Sequence, residues 1–595
     1  MNNEFTDEQK NYLAGFFTGV SQGGLTFAQA QPAAGPQPLE APPEKKKKRI
    51  PEEQIKADLH PFDAYPRLKE LAKADAEPEK PDIFRFKWNG LFWLAPVVEG
   101  YMCRLRIPGG IVTSHQVRAL SDTADDLASG FLQITTRNNF QIRVIQPKDT
   151  PELLRRIQDC GLHSRGSGAD NLRNFTSNPT SGIDPHELID VLPYIKDLAH
   201  YVINNLEFYD LPRKFNVSYD GGGLTKVAED TNDIGLRAIQ LKEPPEGHPL
   251  HGKLDAGVYF QILLGGVTGH KEFAENAGVI CRPEDSVDVV AALTKVFIRN
   301  GNRGNRGKAR MVYLIKKWGF EKYIAETLQL LGEDLLFRFD PDNADDAALV
   351  VPHEKPNVPH PHVGVHPQKQ EGLSYIGVQI PVGILEADKA REVARVADEF
   401  GSGEVRLTIF QNLIIPNVPN ERVEAAQAAL AGAGLVSTPS MIRGGTAACT
   451  GNLYCKFAAS NTKGAATSLI DYLDDHIEFD QPINIHVTGC PHSCAQHYIG
   501  DIGMLACKVK QEDGESVEGF HVFVGGGFAE NRRLGRQILK SVPSGEILNK
   551  QILVLLRAYL DQRNEGESFQ DFTVRHEVEE LQSMIDSGMR KKVVA

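Results

Sequence analysis

The feature of this sequence that most restricts its fold is an internal repeat at a constant offset of 273 residues. Ile107-Pro108 matches Ile380-Pro381, and LQITTRNNFQI from Leu132 aligns without a gap with VRLTIFQNLII from Val405. Repetition at a fixed offset means that one supersecondary unit occurs more than once. The sequence therefore predicts two long copies of one module.

Each copy is predicted to begin with a strand–helix–strand unit. In the first copy, residues 101–111 alternate as in a strand and end in a Gly-Gly turn. A helical pattern follows over Ser114–Leu127. Residues 131–145, FLQITTRNNFQIRVI, are predicted to form the second strand. The copies then continue less regularly, because 208–218 matches 479–488 and FQILLGG from Phe260 matches FHVFVGG from Phe520.

Four of the eight cysteines form the pattern C-x5-C-x34-C-x3-C. They are Cys449, Cys455, Cys490 and Cys494. A cubane iron–sulfur cluster needs four converging thiolates, and two close pairs on separate loops provide them. A structural zinc site is the alternative, but zinc motifs usually pair cysteines about two to four residues apart, and this spacing is looser. The other cysteines, Cys103, Cys160, Cys281 and Cys507, are predicted to be core thiols.

The two copies also differ in charge. The first carries cations at positions where the second has none. The matched pairs are Arg104 with Gly377, Arg137 with Phe410, and Lys214 with Asn484. The second copy carries the cysteines instead. We therefore expect one half to bind anions and the other to deliver electrons.

Length and charge limit the class of protein. At 595 residues the chain is too long for one core, so several domains are expected. A net charge of −13 argues against nucleic acid as the main partner. No run of eighteen apolar residues occurs, so no membrane span is predicted. The start, MNNEFTDEQK, resembles neither a signal peptide nor a transit peptide, which predicts a cytoplasmic location.

The N-terminal region is predicted to lie outside the copies. Residues 5–20 have an amphipathic helical pattern, and residues 30–53, rich in Pro and Ala, are predicted to be a flexible extension. The basic run Lys45–Arg49 suits either a docking point for an acidic electron donor or a solvated linker, and we favour the linker.

A second linker is predicted between the copies, at residues 355–372. It contains three histidines that suit metal binding in principle, namely His360, His362 and His366. Its frequent prolines favour an extended connector instead.

TAACTGNLYC and TGCPHSC resemble the cluster-binding signature of the sirohaem-dependent nitrite and sulfite reductases, and the similarity covers most of residues 80–540. The resemblance implies an α+β fold. Two tandem copies of a ferredoxin-like half-domain plus an α/β module form a pseudo-twofold multidomain enzyme. The implied domains are an N-terminal extension and basic linker (1–80), a first half-domain (81–150), a first cofactor- and substrate-binding module (151–350), a connector (351–372), a second half-domain (373–435) and a cluster-binding module (436–595).

The resemblance also implies cofactors and site residues. In this family the last cysteine, here Cys494, ligates a [4Fe–4S] cluster and bridges to the iron of a sirohaem. Sirohaem is a polycarboxylate, so cations and amides surround it. The implied sirohaem residues are Arg137, Gln141, Arg213, Asn305, Arg306 and Arg310. The implied substrate residues are Arg104, Arg173, Lys214 and Asn216, which would hold a small anion and polarise its bonds. His492 replaces the commoner Asn of TGCPNxC, which changes the hydrogen bonding around the cluster.

The leading hypothesis is an assimilatory, ferredoxin-type reductase that converts nitrite to ammonium. The alternatives are a sulfite reductase of the same fold and a tetrapyrrole-modifying enzyme of the precorrin-3B synthase type. A plain iron–sulfur electron carrier leaves the paired modules and the cations unexplained. No G-x-G-x-x-G turn is visible in a strand–helix context, so ferredoxin or a similar one-electron donor protein is expected to supply the electrons.

One motif favours nitrite over sulfite. In the sulfite reductases the sequence after LPR tends to read K-x-K, whereas nitrite reductases tend to have K-x-N, as in Lys214-Phe215-Asn216. Sulfite is largely a dianion near neutral pH and gains from an added cation. Nitrite is a monoanion, for which a neutral amide donor is adequate.

Overall fold

The computed structural model describes residues 49–332, 334–438 and 441–590. The predicted helix at 5–20, the predicted extension up to residue 48 and the basic residues Lys45–Lys48 lie outside these ranges. Pro51–Glu53 was expected to end the flexible extension, but these residues form the first turn of a helix. Pro51 suits that turn because no backbone N–H is needed there, and Glu52 and Glu53 lie at the positive end of the helix.

The helices bury one face against the sheets. In chain order they are α1 (Pro51–Asp58), α2 (Tyr65–Ala74), α3 (Lys80–Arg85), α4 (Ser114–Leu127), α5 (Thr150–Asp159), α6 (Leu192–Asn204), α7 (Ser286–Asn300), α8 (Met311–Leu331), α9 (Ala344–Ala347), α10 (Ala387–Phe400), α11 (Val423–Gly432), α12 (Thr462–Asp474), α13 (Glu546–Gln562), α14 (Phe569–Arg575) and α15 (Val578–Arg590). Within the described ranges, no helix is long and apolar enough to cross a membrane.

The strands build two pairs of corresponding sheets. The first pair has the orders β1-β2-β5-β4-β14 and β12-β13-β16-β15-β3, and the second has β11-β10-β9-β8-β7-β6 and β17-β18-β19-β20-β21. The strands are β1 (Leu91–Trp93), β2 (Tyr101–Arg104), β3 (Ile111–Thr113), β4 (Phe131–Ile134), β5 (Phe140–Ile145), β6 (Thr176–Ser177), β7 (Val217–Asp220), β8 (Ile234–Leu241), β9 (Gly257–Leu264), β10 (Glu275–Cys281), β11 (Phe337–Arg338), β12 (Gly364–Pro367), β13 (Leu373–Val378), β14 (Ile384–Glu386), β15 (Glu404–Leu407), β16 (Leu413–Pro419), β17 (Thr446–Ala448), β18 (Ile485–Thr488), β19 (Ile502–Lys510), β20 (Ser516–Val524) and β21 (Arg536–Pro543).

The repeat is visible as matched elements, which confirms the predicted α+β fold with two ferredoxin-like half-domains. Helices α4 and α10 are both 14 residues long and begin 273 residues apart. Each half-domain also gives one short strand to the other, because β14 pairs with β4 and β3 pairs with β15. This reciprocal exchange joins the two copies into one sheet-and-helix core.

Helix α4 begins where the sequence pattern predicts, and its start is fixed by a capping box. The Thr113 hydroxyl accepts from the Gln116 backbone at 3.2 Å, and the Gln116 side chain accepts from the Thr113 backbone at 3.0 Å. Val117 and Leu120 are buried and face the same hydrophobic core as Val393 of α10. The helices of the two copies therefore share one core.

The predicted strand over 131–145 is instead a hairpin. Strands β4 and β5 pair antiparallel, and the Thr135 backbone N–H closes the turn on the Asn139 carbonyl at 3.1 Å. Asn138 has a φ of 49°, a left-handed conformation that asparagine tolerates better than β-branched residues do. The polar residues of this turn also suit an exposed strand, so the sequence did not reveal the turn, which places Arg137 at its tip.

The second modules correspond in topology, with a register that differs from the sequence alignment. Val217 pairs with Ile234 in the first, and Ile485 pairs with Ile502 in the second. Both modules place an asparagine before the strand, and its backbone N–H donates to an aspartate. In these bonds Asn216 reaches Asp233 at 2.9 Å and Asn484 reaches Asp501 at 2.8 Å. The match of Lys214 with Asn484 was therefore wrong, because Asn484 is the counterpart of Asn216.

The histidines of the predicted connector pack against the protein. The Nε2 atoms of His360, His362 and His366 contact the backbone carbonyls of Met441, Gly444 and Val363 at 2.7 to 2.8 Å. His362 also stacks on Phe410, with ring centroids 4.3 Å apart. These contacts engage one ring nitrogen of each histidine with the backbone, and residues 364–367 form β12.

Candidate active site

The four motif cysteines lie on loops that leave parallel strands of the second module. Cys449 directly follows β17, whereas Cys490 and Cys494 lie in the loop after β18. Cys455 lies in the turn between Cys449 and α12. Burial, and after it the charges of the other three motif cysteines, raise the pKa of Cys490 to about 11. Cys490 therefore interacts electrostatically with all three. The loops therefore bring the four sulfurs to one place.

The surroundings of these sulfurs suit a cubane cluster. No three His, Cys, Asp or Glu side chains in the described ranges are arranged to hold a single metal ion. A zinc site would need four ligands within about 2.3 Å of one ion, whereas a cubane cluster takes each thiolate at a different iron. The Gly489 backbone N–H donates to the Cys449 sulfur at 3.1 Å. Backbone N–H donors of this kind stabilise cluster sulfurs.

His492 lies against the cluster loop. Its Nδ1 is 3.4 Å from the Cys490 sulfur, and its ring meets Phe457 edge-on at 5.3 Å. An imidazole N–H at Nδ1 can donate to the cysteine sulfur, so the substituted position retains a hydrogen-bonding group. The change from the commoner Asn therefore alters the donor and not the thiol set.

Three of the predicted core thiols are buried, namely Cys103, Cys160 and Cys281. Cys507 is only half-buried, because it lies on the outer part of β19, where the sheet projects beyond the core. The prediction therefore holds for three of the four.

Four cations of the first copy, the cation cluster, interact with one another, and three of them also interact with Cys494. They are Arg104, Arg137, Arg173 and Lys214. Arg104 ends β2, Arg137 lies at the hairpin tip, and Lys214 precedes β7. The Cys494 thiolate interacts electrostatically with Arg104, Arg137 and Lys214. The structure thus brings together residues that are far apart in the sequence.

The hydrogen-bond partners of the cation cluster are neutral. Arg137 donates through both terminal nitrogens to the Asn232 side-chain oxygen at 3.0 Å. Arg173 donates to the carbonyls of Ser167 and Ala169 at 3.1 and 2.9 Å, and its Nε atom is buried with no partner among the described residues. Arg104 reaches the Ser167 carbonyl at 3.5 Å. No member forms an ion pair with a carboxylate in the described part of the chain.

The pKa shifts have the same cause. Burial and the charges of Arg310, Arg173 and Arg213 together lower the pKa of Lys214 to about 7, while Cys494 opposes them. Burial also lowers the pKa of Arg137 to about 10 and that of Arg173 well below its usual range. Cations held together away from water are costly unless an anion joins them. The cation cluster is therefore arranged to receive anionic ligands.

Three other predicted cations already have carboxylate partners. Arg306 forms two hydrogen bonds with Asp170, at 2.9 and 2.8 Å. Arg310 pairs in the same bidentate way with Asp233, at 3.1 and 2.7 Å. Arg213 lies 3.8 Å from Asp170. Their charges are largely neutralised, so a role in binding sirohaem stays a prediction for these residues.

The remaining predicted residues make local contacts. Gln141 accepts a hydrogen bond from Arg143, and Asn305 accepts from the Gly307 backbone at 2.9 Å and is exposed. Asn216 is buried, with its backbone held by Asp233. Its position two residues after Lys214 places it beside the cation cluster. For these three residues also, contact with cofactor or substrate stays a prediction.

Two first-copy residues position the cation cluster, and the sequence analysis missed both. The buried Arg106 guanidinium donates to the carbonyls of Gly166, Leu172 and Arg173, at 2.7 to 3.2 Å, and so holds the Arg173 loop. The Asn174 amide donates to the carbonyls of Ile107 and Arg137 at 2.7 and 2.8 Å. The sequence pointed to Arg104 and Arg173 in the motifs CRLR and NLRN. It did not point to Arg106 and Asn174, because a residue that only positions others has no sequence signature.

A second missed feature is the 229–233 segment, EDTND, whose side chains are all buried. Each side chain holds a different element. Glu229 binds Arg237, Asp230 accepts from the Ala529 backbone, Thr231 accepts from Gln496, Asn232 accepts from Arg137, and Asp233 accepts from Arg310 and the Asn216 backbone. The segment therefore links the hairpin tip, the loop before β7 and the cysteine loop after β18.

The charge and exposure of these residues are compatible with sirohaem. The macrocycle carries carboxylates, and the cation cluster supplies unneutralised cations beside the cysteine that would bridge to its iron. Cys494 is the most exposed of the four motif cysteines, which leaves its sulfur accessible to a second metal. The residues present therefore fit a polyanionic, metal-bearing cofactor.

A separate cavity of about 710 Å³ adjoins the cysteine loop. Thr450, Tyr454 and Lys463 contribute to its wall together with aliphatic and polar residues, and no member of the cation cluster does. The cavity is therefore distinct from the site described above.

These features define a class, namely an iron–sulfur protein of two fused copies in which one copy supplies cysteines and the other supplies cations. Comparisons with known proteins agree with this class. Residues 168–335 and 443–593 match the nitrite and sulphite reductase 4Fe-4S domain. Residues 96–160 and 366–433 match the nitrite/sulfite reductase ferredoxin-like half domain. The chain therefore belongs to the nitrite and sulphite reductase family and is an oxidoreductase with an iron–sulfur cluster.

Individual relatives cover most of the chain. It is 36% identical to a ferredoxin–nitrite reductase of Zea mays, over 84% of this chain and 87% of the relative. It is 31% identical to a sulfite reductase [ferredoxin] of Mycolicibacterium paratuberculosis, over 84% of this chain and 89% of the relative. The solved structure of Mycobacterium tuberculosis NirA superposes with a TM-score of 0.79 at 29% identity, over 89% of this chain and 97% of NirA.

Proposed function

We propose that this protein reduces nitrite to ammonium at a sirohaem joined through Cys494 to a [4Fe–4S] cluster, with electrons from ferredoxin or a similar one-electron donor. The observation that carries the proposal is the cation cluster. Its members form no ion pair with a carboxylate in the described residues, and three of them interact with Cys494. The similarity to ferredoxin–nitrite reductases supports it.

The reaction consumes electrons and protons. Nitrite takes up six electrons and eight protons to give ammonium and two molecules of water. Bound sirohaem would supply the iron at which the nitrogen is held and reduced. Arg104, Arg173 and Lys214 are proposed to bind the nitrite oxygens and stabilise the negative charge that develops on them. Lys214, whose pKa is lowered to about 7, is poised to exchange a proton near neutral pH.

Nitrite is preferred over sulfite in this proposal because Asn216 places a neutral amide beside Lys214. The sulfite reductase alternative rests on the relative of Mycolicibacterium paratuberculosis and on the shared fold. We infer that the protein works in an assimilatory role in the cytoplasm, where a reducing environment keeps cysteines free to bind the cluster.

The stoichiometry of the purified enzyme tests the proposal. With a reduced one-electron dye, six dye molecules should be oxidised for each nitrite consumed, and ammonium should be the product. The absorption spectrum should show a bound chlorin-like pigment that is unchanged after turnover. A pigment that is chemically altered during turnover, or electron uptake without ammonium, would instead support the tetrapyrrole-modifying alternative.

A further inference from the structure

Two cations outside the cation cluster contact the residues on either side of Cys449. Arg143, on β5, donates from Nη2 to the Thr450 hydroxyl at 2.8 Å. Lys463, in the first turn of α12, donates from Nζ to the Ala448 carbonyl at 3.3 Å. One cation comes from the first copy and the other from the second, so the cluster loop lies between them.

Both cations are held by neutral groups. Arg143 is 2% exposed, and its other acceptors are the side-chain oxygens of Gln133 and Gln141, each at 2.5 Å. Lys463 is half-buried, and its other acceptor is the Val382 carbonyl. Neither forms an ion pair with a carboxylate in the ranges that the structure describes. Two basic side chains therefore lie beside the cluster ligands with only neutral hydrogen-bond partners.

Such charges are costly to keep in a folded protein. A structural role alone does not require them, because neutral donors would satisfy the same carbonyl and hydroxyl oxygens. Burial lowers the pKa of both groups, to about 10 for Arg143 and to about 7 for Lys463. The thiolates act in the opposite direction, because Cys449 and Cys455 favour the charged form of Arg143 and Cys449 favours that of Lys463. The cations and the thiolate set are thus electrostatically coupled.

We propose that Arg143 and Lys463 are positioning charges that raise the reduction potential of the [4Fe–4S] cluster. One-electron reduction adds a negative charge to the cluster, and nearby fixed cations stabilise that state more than the oxidised one. Cluster potentials depend on local charge, hydrogen bonds and solvent exposure, and a screened surface charge would have little effect. The inference rests on the cluster and not on the identity of the substrate.

The test is a potentiometric titration of the purified holoenzyme, followed by the spectroscopic signal of the reduced cluster. Arg143→Gln and Lys463→Gln should each shift the one-electron reduction equilibrium about tenfold towards the oxidised state, equivalent to about 59 mV. Lys463→Arg, which keeps the charge, should leave the potential near that of the wild type. Lys456→Gln serves as a matched control, because this neighbour of Cys455 is exposed.

A second variant separates charge from packing. Gln133→Glu leaves every Arg143 atom in place and adds a carboxylate where the Gln133 oxygen now accepts. It should lower the potential in the same direction as Arg143→Gln. If Arg143→Gln protein does not retain its cluster, Gln133→Glu decides the question. Unchanged potentials in Gln133→Glu and Lys463→Gln, with full iron content, would overturn the proposal even if nitrite reduction is normal.

Discussion

The Thr136 hydroxyl donates a hydrogen bond to the backbone carbonyl of Cys494 at 3.0 Å. Thr136 lies at the hairpin tip of the first copy, next to Arg137, whereas Cys494 lies in the cluster loop of the second copy. This contact holds the cation-bearing hairpin against the cysteine that is proposed to bridge both cofactors. The cation-bearing hairpin and the cysteine loop therefore meet at the interface between the two copies.

The first prediction concerns the cluster ligands. Cys455→Ser should abolish the iron–sulfur signal and the reduction of substrate, because a cubane cluster needs all four thiolates in position. Iron content and the spectrum of the purified protein measure the effect. Cys281→Ala, which alters a buried thiol far from the loops, should retain iron and activity. Full activity in the Cys455 variant would contradict the ligand assignment.

The second prediction concerns the amide that holds Arg137. Asn232→Asp has nearly the same shape but adds a negative charge where both guanidinium nitrogens now donate. It should neutralise Arg137 and weaken binding of anionic ligands by about 1–2 kcal/mol, roughly tenfold. Sirohaem content and the KM for nitrite are the measurements. The matched control is Asn171→Asp, since Asn171 is equally buried but, among the described residues, its side chain hydrogen-bonds only the Gly168 carbonyl. Equal effects of both variants would show that Asn232 has no special role.

The third prediction concerns pH and stability. Burial lowers the pKa of His362 to about 3, so the folded protein holds this histidine neutral, whereas the unfolded chain protonates it below about pH 6.5. The folded-state pKa is depressed, and the stabilising contribution is therefore present above that pH and is lost as pH falls towards 3. His362→Phe keeps the stacking on Phe410, and the Gly444 carbonyl keeps the Asn412 amide as a donor.

Thermal unfolding at pH 7.5 and pH 5 measures this effect. The Tm of the wild type should be lower at pH 5 than at pH 7.5. This decrease should be smaller in His362→Phe, although that variant has a lower Tm than the wild type at pH 7.5. His200→Phe provides the control, since His200 is exposed and should leave the pH dependence unchanged. An identical fall in the wild type and His362→Phe would contradict the assignment.

The sequence predicted the repeat well and its local geometry less well. The offset of 273 residues placed α4 and α10, because both copies use the same apolar spacing and nearly the same turns. It did not reveal the turn at Thr135–Asn139, because the polar residues there also suit an exposed strand. The alignment of residues 208–218 with 479–488 also misplaced the match of Lys214, because the loops before β7 and β18 differ. Only the backbone hydrogen bonds to Asp233 and Asp501 fix the register.

The site shows the same division. The cysteines were found because cluster chemistry imposes their spacing, and the cation cluster was found because family motifs mark it. The 229–233 segment was not found, because its five side chains bind six partners, most of them distant in the sequence, and no local pattern records that. Arg143 was missed for a related reason, since an arginine on a strand is usually solvated and only the structure shows it buried beside Thr450.

The fourth prediction concerns substrate choice at position 216. Asn216→Lys adds a cation beside Lys214 and should shift the ratio of specificity constants towards sulfite by roughly tenfold, since one lysine at a partly hydrated site contributes about 1–2 kcal/mol. Lys214→Ala should reduce kcat/KM for both substrates. Steady-state kinetics with a reduced dye measure both effects. An unchanged ratio in Asn216→Lys would show that this position does not select the substrate.

The measurement that tests the proposed function most directly is kcat/KM for nitrite and for sulfite, determined side by side on the wild-type holoenzyme with one artificial one-electron donor. The uncompensated cation cluster around Cys494, with a neutral amide at Asn216, predicts a higher value for nitrite and ammonium as the product. An equal or higher value for sulfite, with sulfide as the product, would contradict the proposed function.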